Sequence, residues 1–399
     1  MASQPRLPSE LTDLAIEDLR FEGTTLAQCA LVCRAWVPAA QRNQFSKLSI
    51  HERNCTELIQ YLTSATRNVA GYVRCLRVHL WGDLRANLNR ATANRTPLLH
   101  LLLPHISHFT NVRELELDGC RAFAGRQWDE IWTDLLASAL GQSLTHLTVH
   151  YLDFEDLPDL VDLVSAFPQL THLTAEDLDI AEASHEYSNE PQEPYNGSKT
   201  PPPLLANIKY VSGRSFASGG GPFLRWLAAG PQAFSTLYLD LDAEAGDVNA
   251  GVELVGAARD NLKTLFLNFD DQWGFWEGFE LSGNSVLRSL VLRSITAGLF
   301  EVLRSVSSPL QHLSFGDVEE LDSDAWRDLV DVLMSPSFAS LVRIDFYVSS
   351  RKHVEDLENE IKGEHPEFFE RGIAFFGKHF MCSGPKAYFV HSSSTQTPP

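Results

Sequence analysis

Apolar residues recur along most of this chain in a six-residue pattern, apolar-x-x-apolar-x-apolar, at separations of 23 to 39 residues. The second and third apolar positions of each copy alternate with polar ones, as in a short strand with one buried face. The eleven copies, of which the sixth is weak, are Phe45-Leu48-Ile50, Val73-Leu76-Val78, Val112-Leu115-Leu117, Leu144-Leu147-Val149, Leu170-Leu173-Ala175, Ile208-Val211, Phe234-Leu237-Leu239, Leu262-Leu265-Leu267, Leu287-Leu290-Leu292, Leu310-Leu313-Phe315 and Leu341-Ile344-Phe346. Each copy predicts one strand, and a last strand is expected around 372–376.

Stretches with helical periodicity lie between the copies, for example at 128–139, 157–164 and 299–306. A repeated strand–helix unit of this length buries its apolar face only against its neighbours. This describes leucine-rich repeats in an α/β horseshoe, with parallel strands on the concave face and helices outside. An all-helical armadillo or HEAT solenoid is the alternative, but segments 237–242 and 265–270 alternate with period two, which favours strands.

The first 50 residues predict three short helices instead. Pro8 suits the first turn of a helix that carries Leu11, because its missing N–H costs little there. Thr25 and Gln28 form a capping-box signature for a second helix, and 39–45 can form a third. A module of about 45 residues lies near the size at which a domain needs outside help to be stable, so its exposed apolar residues are expected to pack on another protein.

This segment resembles the F-box. The residues that match the family's pattern in order are Leu7, Pro8, Glu10, Leu11, Ile16, Leu19, Leu26, Val32, Cys33, Arg34, Trp36, Arg42, Phe45 and Leu48, whereas Ala15 stands where a larger aliphatic residue is usual. Together with the repeats, the chain resembles the divergent F-box and leucine-rich-repeat proteins that are numerous in fungi. The resemblance implies docking onto the Skp-type adaptor of a cullin-based ubiquitin ligase, for which the repeats would bind a protein substrate.

The adaptor contacts implied by the resemblance are Leu7, Pro8, Leu11, Ile16, Leu19, Val32, Cys33 and Trp36. Some of them must fill the module's own core, and the sequence does not sort the two sets. The alternative function is a protein-interaction scaffold that acts outside a ligase. Neither function is enzymatic, and the sequence contains no P-loop, no HExxH and no Gly-x-Ser-x-Gly elbow. No cofactor is expected.

In a horseshoe, the polar positions beside each strand's buried residues point into the concavity. The substrate-binding candidates are Arg77, His79, Glu114, Glu116, His146, His150, His172, Tyr238 and Phe266 on strands, with Trp273 and Trp276 after one strand. The two tryptophans either form an exposed anchor or pack on the convex side. His146, His172 and His312 share one register position, and such a row can bind metal or sense pH. Only the first two belong to neighbouring repeats. The shared position is therefore interpreted as a recurring feature of the repeat sequence, and no metal site is predicted.

Charge narrows the choice of partner. The chain carries a formal net charge of −20, of which residues 1–45, with four basic and five acidic side chains, contribute −1. No basic patch is present, which disfavours a nucleic acid partner. A basic or neutral protein surface suits the acidic repeats, although a uniformly solvating acidic surface explains the charge equally well.

No window approaches the roughly 20 apolar residues of a membrane span, and the N-terminus lacks a basic then apolar signal segment. Six cysteines without paired spacing favour a reducing compartment, so we expect a cytoplasmic or nuclear protein, or one found in both. The predicted regions are an F-box at 1–50, a repeat solenoid at 51–380 and a disordered tail at 381–399. A polar, Pro-rich stretch near 181–203 is expected to be a disordered insertion.

Overall fold

A computed structural model gives the architecture. It describes residues 9–19, 23–63, 70–80, 101–119, 130–180, 199–211, 220–230, 233–241, 245–269, 279–293, 297–316, 318, 321–348, 358–359, 361–363, 366, 369, 372 and 374–378. The chain divides into two compact units, residues 1–258 and residues 259–399. The first unit holds both the N-terminal helices and repeats, so the boundary at residue 50 stays a prediction.

The helices of the described residues are α1 (Ser9–Asp18), α2 (Gly23–Val32), α3 (Val37–Gln44), α4 (Glu52–Thr63), α5 (Glu130–Leu140), α6 (Leu157–Ser165), α7 (Gly220–Ala228), α8 (Ala245–Ala257), α9 (Ala297–Ser305) and α10 (Ser323–Leu333). Short 3-10 helices occupy Ala70–Tyr72, Leu103–His108 and Pro336–Phe338. The three predicted N-terminal helices and the three predicted inter-strand helices are all present. The second helix begins at Gly23, so Thr25 lies inside it and the prediction of Thr25 as its N-cap is wrong.

The strands of the first unit are β1 (Lys47–Ile50), β2 (Cys75–His79), β3 (Glu114–Asp118), β4 (His146–His150), β5 (Asp153–Phe154), β6 (His172–Glu176), β7 (Asp179–Ile180), β8 (Asn207–Val211) and β9 (Thr236–Leu241). Seven of them form one parallel sheet in the order β1-β2-β3-β4-β6-β8-β9. The two-residue strands β5 and β7 pair with each other, also in parallel. Parallel neighbours need a crossover connection, and α4, α5, α6 and α7 lie in the connections that follow β1, β3, β4 and β8.

The second unit repeats the same architecture. Its strands are β10 (Thr264–Phe269), β11 (Ser289–Leu292), β12 (His312–Phe315), β13 (Arg343–Val348) and β14 (Ala374–Lys378). Each pairs in parallel with the next, in sequence order. The predicted α/β class is therefore confirmed. Three N-terminal helices are followed by leucine-rich-repeat-like strand–helix repeats with parallel strands. The expected last strand is present as β14.

The repeated apolar pattern fixes the register of the sheet. Leu76, Leu115, Leu147 and Leu173 stand directly beside one another on successive strands, and each is 1% exposed or less. A slip of one residue would turn each of these side chains to the polar face. Burial of the same position in successive repeats therefore holds neighbouring repeats together.

The sixth copy has a different register from the predicted one. Ile208 is buried as expected, but Val211 lies on the polar face, and the buried positions are Leu205, Ile208 and Tyr210. No other copy carries a tyrosine at its third position, so the repeated pattern did not predict that Tyr210 is buried. With this register, Lys209 belongs to the polar face.

A turn recurs directly after successive strands. The N–H groups of Gly119, Tyr151 and Asp177 donate to the carbonyls of His150, Glu176 and Val211 on the neighbouring strands, at 2.8, 3.0 and 3.0 Å. Tyr151 and Asp177 adopt positive φ angles of 54° and 53°. A Cβ at Gly119 would overlap the carbonyl oxygen of Tyr151, so the close approach of the two backbones requires glycine there.

The end of the predicted disordered insertion is packed against the helices. Pro201 and Pro202 are buried, and the indole N–H of Trp226 donates to the carbonyl of Lys199 at 2.9 Å. Lys199 Nζ lies 2.6 Å from Asp162 Oδ1 on α6. The prediction of disorder is therefore wrong for 199–203, because these contacts are tertiary. Residues 181–198 and the predicted tail at 381–399 lie outside the described residues.

Candidate functional site

The N-terminal helices α1 to α3 enclose a very small core. It consists of Ile16, Leu26, Cys29, Ala39 and Ala40. Ile16 is only 2% exposed, so its assignment as an adaptor contact is corrected to a core residue. So small a core buries little apolar surface, in line with the expected need for outside help.

Leu19 and Trp36 take an intermediate place. Both are partly buried and pack against the core of the module. Trp36 is also the N-cap of α3, and Pro38 follows in its first turn. Substitution of either residue would disturb the fold of the three-helix module as well as any contact that the residue makes with an adaptor. Leu7 and Pro8 lie outside the described residues.

Exposed apolar side chains lie on two of these helices. Leu11 and Leu14 are exposed on one face of α1, since they stand three residues apart. At the end of α2, Leu31 is 86% exposed and is followed by exposed Val32 and Cys33. We call these five residues the module surface. Leu14 and Leu31 were not among the predicted contacts, because periodicity alone places both on a helix without telling which face is covered.

The second candidate site is the polar face of the seven-stranded parallel sheet in the first unit, which we call the first sheet. Its residues form three rows that run across the strands. From β2 to β9, the first row is Cys75, Glu114, His146, His172, Asn207 and Thr236, the second is Arg77, Glu116, Thr148, Thr174, Lys209 and Tyr238, and the third is His79, Asp118, His150, Glu176, Val211 and Asp240. The structure thus brings most predicted substrate-binding residues together on one surface, as the horseshoe pattern predicted.

Ion pairs link the second and third rows at β2 and β3. Arg77 reaches Glu116 with Nε at 3.2 Å and Asp118 with Nη2 at 2.7 Å. His79 completes the cluster, with Nδ1 3.0 Å from Asp118 Oδ2 and Nε2 3.1 Å from Ser49 Oγ. Burial lowers the pKa of His79 and outweighs Asp118, which favours a neutral ring that donates to the carboxylate and accepts from the hydroxyl.

A second cluster surrounds Glu176 on β6. The Nδ1 of His150 lies 2.7 Å from Glu176 Oε2, whereas its Nε2 is 3.8 Å from Glu116. Burial lowers the pKa of His150 against the opposing pull of Glu116 and Asp118. A neutral His150 therefore donates from Nδ1 to Glu176 and leaves Nε2 without a proton.

Lys209 occupies the other side of Glu176. Its ammonium pairs with Glu176 Oε1 and lies 5.2 Å from the centre of the Tyr238 ring. Its side chain is only 5% exposed, and burial lowers the pKa of Lys209 to about 8. At neutral pH the ammonium stays charged, with a carboxylate and an aromatic face as its neighbours. The sequence did not nominate Lys209, because the sixth copy was assigned the wrong register.

The first row contains a stacked histidine pair. The rings of His146 and His172 lie 4.0 Å apart between centroids, with 10° between their planes. Parallel rings direct their lone pairs along parallel lines, which do not converge on one ion. Among the described residues no group of three or more His, Cys, Asp or Glu side chains is placed to hold a metal.

Burial lowers the pKa of both stacked histidines. For His172 the pKa falls to about 4, because burial acts first and the neighbouring His146 adds to it, while Glu114 opposes. For His146 burial lowers the pKa and Glu114 opposes. Both rings are therefore neutral at physiological pH, which allows them to stack without charge repulsion.

The remaining predicted substrate-binding residues are Phe266, Trp273 and Trp276. Phe266 is only 5% exposed, so it is corrected from a substrate contact to a buried residue of β10. Trp273 and Trp276 lie outside the described residues.

No helix in the described part of the chain combines the length and the apolar character that crossing a membrane requires.

No protein-family model matches the chain, and no curated protein matches it significantly. Among solved structures, the complex of Rad7 and Elc1 from yeast is similar at 14% sequence identity and a TM-score of 0.41. The match covers 84% of this chain and 75% of that chain. A likeness this distant says nothing of what this chain binds.

Proposed function

We propose that this chain is the substrate-recognition subunit of a Skp-cullin-F-box type ubiquitin ligase. The module surface docks on the Skp-type adaptor, the adaptor connects to a cullin, and the polar face of the first sheet binds a protein substrate. The chain itself performs no chemistry in this function. Its contribution is to hold the substrate close to the site of ubiquitin transfer.

One observation supports the docking step most directly. A three-helix module with the residue pattern of an F-box leaves Leu14, Leu31 and Val32 exposed while burying a core of five residues. Leu31 and Val32 are adjacent, large and apolar, and contiguous apolar side chains at a protein surface mark protein-binding sites. Burial of each such side chain in a complex contributes about 1.5 to 3 kcal/mol.

The polar sheet face supports the substrate step. Its charged side chains are held in place by ion pairs and hydrogen bonds, so little side-chain freedom is lost when a partner binds. The surplus of acidic residues favours a basic or neutral protein partner. Described cysteines Cys29, Cys33, Cys55 and Cys75 are free thiols, in keeping with a cytoplasmic or nuclear protein.

Co-expression with a Skp-type adaptor tests the proposal. We expect a single complex on gel filtration and a higher soluble yield than for the chain alone. The double variant Leu31→Ser with Val32→Ser should weaken adaptor binding at least about tenfold, because two side chains lose their burial in the interface. Both residues are exposed in the free chain, so its thermal unfolding should change little.

The matched control is Val342→Ser, which changes an exposed apolar residue of the second unit and should leave adaptor binding intact. A soluble chain that ignores the adaptor would favour the alternative, an interaction scaffold outside a ligase. A double variant that binds like the wild type would refute the assigned docking surface.

A further inference from the structure

Hydrogen bonding sets the protonation of the stacked histidine His172. The hydroxyl of Thr171 donates to the carbonyl of Thr145 at 3.0 Å, so at 2.8 Å it must accept from Nδ1–H of His172. The Nε2 of His172 then carries a lone pair. The side-chain amide of Asn207 donates to it at 2.9 Å.

The same arrangement recurs one repeat earlier. The hydroxyl of Thr145 donates to the carbonyl of Arg113 at 3.2 Å and lies 2.8 Å from Nδ1 of His146. Nδ1–H of His146 therefore donates to the hydroxyl, and Nε2 is left as an acceptor. Among the described residues no donor lies within hydrogen-bond distance of this Nε2. The two histidines thus share a protonation state but differ in whether a donor is present.

A second acceptor stands beside His146. Glu114 is its register partner on β3, and neighbouring strands lie roughly 4.8 Å apart. The side chain of Glu114 is exposed. Its carboxylate can accept hydrogen bonds from several donors at once. The edge of the first row therefore presents two acceptors on adjacent strands.

We propose that His146 Nε2 and the Glu114 carboxylate form a binding site for an arginine side chain of a partner protein. A guanidinium has five N–H donors, no acceptor and a rigid planar fork. One N–H can donate to the imidazole nitrogen while others donate to the carboxylate, where the bonds are strengthened by charge. This inference rests on the proposed function, since it assigns the site to the substrate.

Other ligand chemistries fit less well. An anion or a carbonyl group would meet a lone pair and a negative charge, which repel it. A metal ion finds only one imidazole lone pair here, because the stacked ring of His172 directs its own towards Asn207. A lysine ammonium carries the right charge but acts as a point donor, whereas the guanidinium fork spans two acceptors.

Histidine ring NMR on the full chain, labelled with ¹⁵N in its histidines, tests the site. Without ligand, the Nε2 signal of His146 should be that of an unprotonated nitrogen. Titration with the peptide acetyl-Gly-Arg-Gly-amide should shift this signal and leave those of His172 and His312 in place. A peptide in which citrulline replaces arginine keeps the shape and loses the charge, so it should bind at least about tenfold more weakly.

Two matched variants separate the site from the overall charge of the chain. Glu114→Gln removes the proposed carboxylate and should weaken binding of the arginine peptide at least about tenfold. Glu57→Gln removes the same charge from an exposed position on α4 and should leave binding unchanged. Equal losses in the two variants would overturn the site, since long-range attraction would then explain the binding.

A protonated Nε2 on His146 in the free chain would also overturn the proposal, as would equal binding of the citrulline peptide. None of these variants touches the module surface, so the adaptor experiment remains a separate test. Arginine binding without adaptor binding would support this site while refuting the ligase function.

Discussion

The histidines of the polar face have their charge state set by their neighbours. Each of His79, His150 and His172 has a lowered pKa, with burial as the largest cause. Each of these rings nevertheless makes a hydrogen bond, donating from Nδ1 to Asp118, Glu176 and the hydroxyl of Thr171 respectively. These three histidines therefore stabilise the polar face in their neutral form.

The lowered pKa of His172 predicts a specific pH dependence of stability. Its ordinary value is 6.5 and its value in the folded chain is about 4, so protons bind the unfolded chain more readily. The stabilisation is complete above about pH 6.5 and is lost as the pH falls towards 4. One pKa unit corresponds to about 1.4 kcal/mol. Because the side chain of His172 is only partly buried, solvent screens its interactions, and we expect a smaller total loss, about 1 to 2 kcal/mol.

Urea unfolding of the wild type and of His172→Gln between about pH 7 and about pH 5 measures this contribution. The variant should be less stable at neutral pH and should lose stability more slowly as the pH falls. His312→Gln, at the same register position in an exposed setting, should keep the pH dependence of the wild type. Identical slopes for His172→Gln and the wild type would contradict the prediction.

At the scale of the element, two helices begin with an aspartate cap. Asp156 accepts a hydrogen bond from the N–H of Asp159 at 3.0 Å, at the start of α6. Asp322 accepts from the N–H of Ala325 at 2.8 Å, at the start of α10. Each bond satisfies one of the helix's free amide groups and places a negative charge at the positive end of the helix dipole.

We therefore predict that Asp322→Ala destabilises the chain by about 1 kcal/mol, a typical cost of a lost N-cap. The matched control is Asp324→Ala in the same helix, which removes an exposed ion pair with Arg327. Exposed pairs contribute between about 0 and 1 kcal/mol, so its effect should be smaller. Thermal unfolding of both variants measures the difference, and a larger loss in Asp324→Ala would contradict it.

The register of β8 shows where element-level prediction fails. Leu205 and Ile208 fit the repeated pattern, but Tyr210 occupies the third buried position, where the other copies carry an aliphatic residue or a phenylalanine. The centre of its ring lies 6.5 Å from that of Phe223 on α7, the helix that follows β8. The partner that makes this tyrosine a core residue is supplied by tertiary packing, so pattern alone assigned the strand and missed its register.

At the scale of the whole molecule, like charges oppose the folded state. The net charge of −20 makes the folded chain repel itself more strongly than the expanded unfolded chain does. Salt screens this repulsion, because the Debye length falls from about 30 Å at 0.01 M to about 8 Å at 0.15 M.

Raising the ionic strength from about 0.01 to about 0.15 M at neutral pH should therefore raise the unfolding temperature. The same change near the isoelectric point, about pH 5.1, should have little effect, because the net charge is then close to zero. Differential scanning fluorimetry compares the two conditions. A fall in unfolding temperature with salt at neutral pH would show that ion pairs such as Arg77 with Asp118 outweigh the repulsion.

The sequence by itself determined the strand–helix repeat, the parallel sheet and the polar rows. The reason is that burial of one face of each strand requires apolar residues at regular spacing, and this spacing is visible in the sequence. Repeated apolar positions such as Leu76 and Leu115 predicted neighbours in the sheet, and the structure places them side by side. The sequence also predicted that His146 and His172 belong to adjacent repeats.

Tertiary structure alone decided which of these residues are available to a partner. Ile16 and Phe266 are buried while Leu31 is exposed, although all three are equally apolar in the sequence. The physical reason is that exposure and hydrogen-bond direction depend on neighbours brought together by the fold. Asn207 fills the acceptor of His172, and in the described residues nothing fills that of His146, a difference that no spacing along the chain encodes.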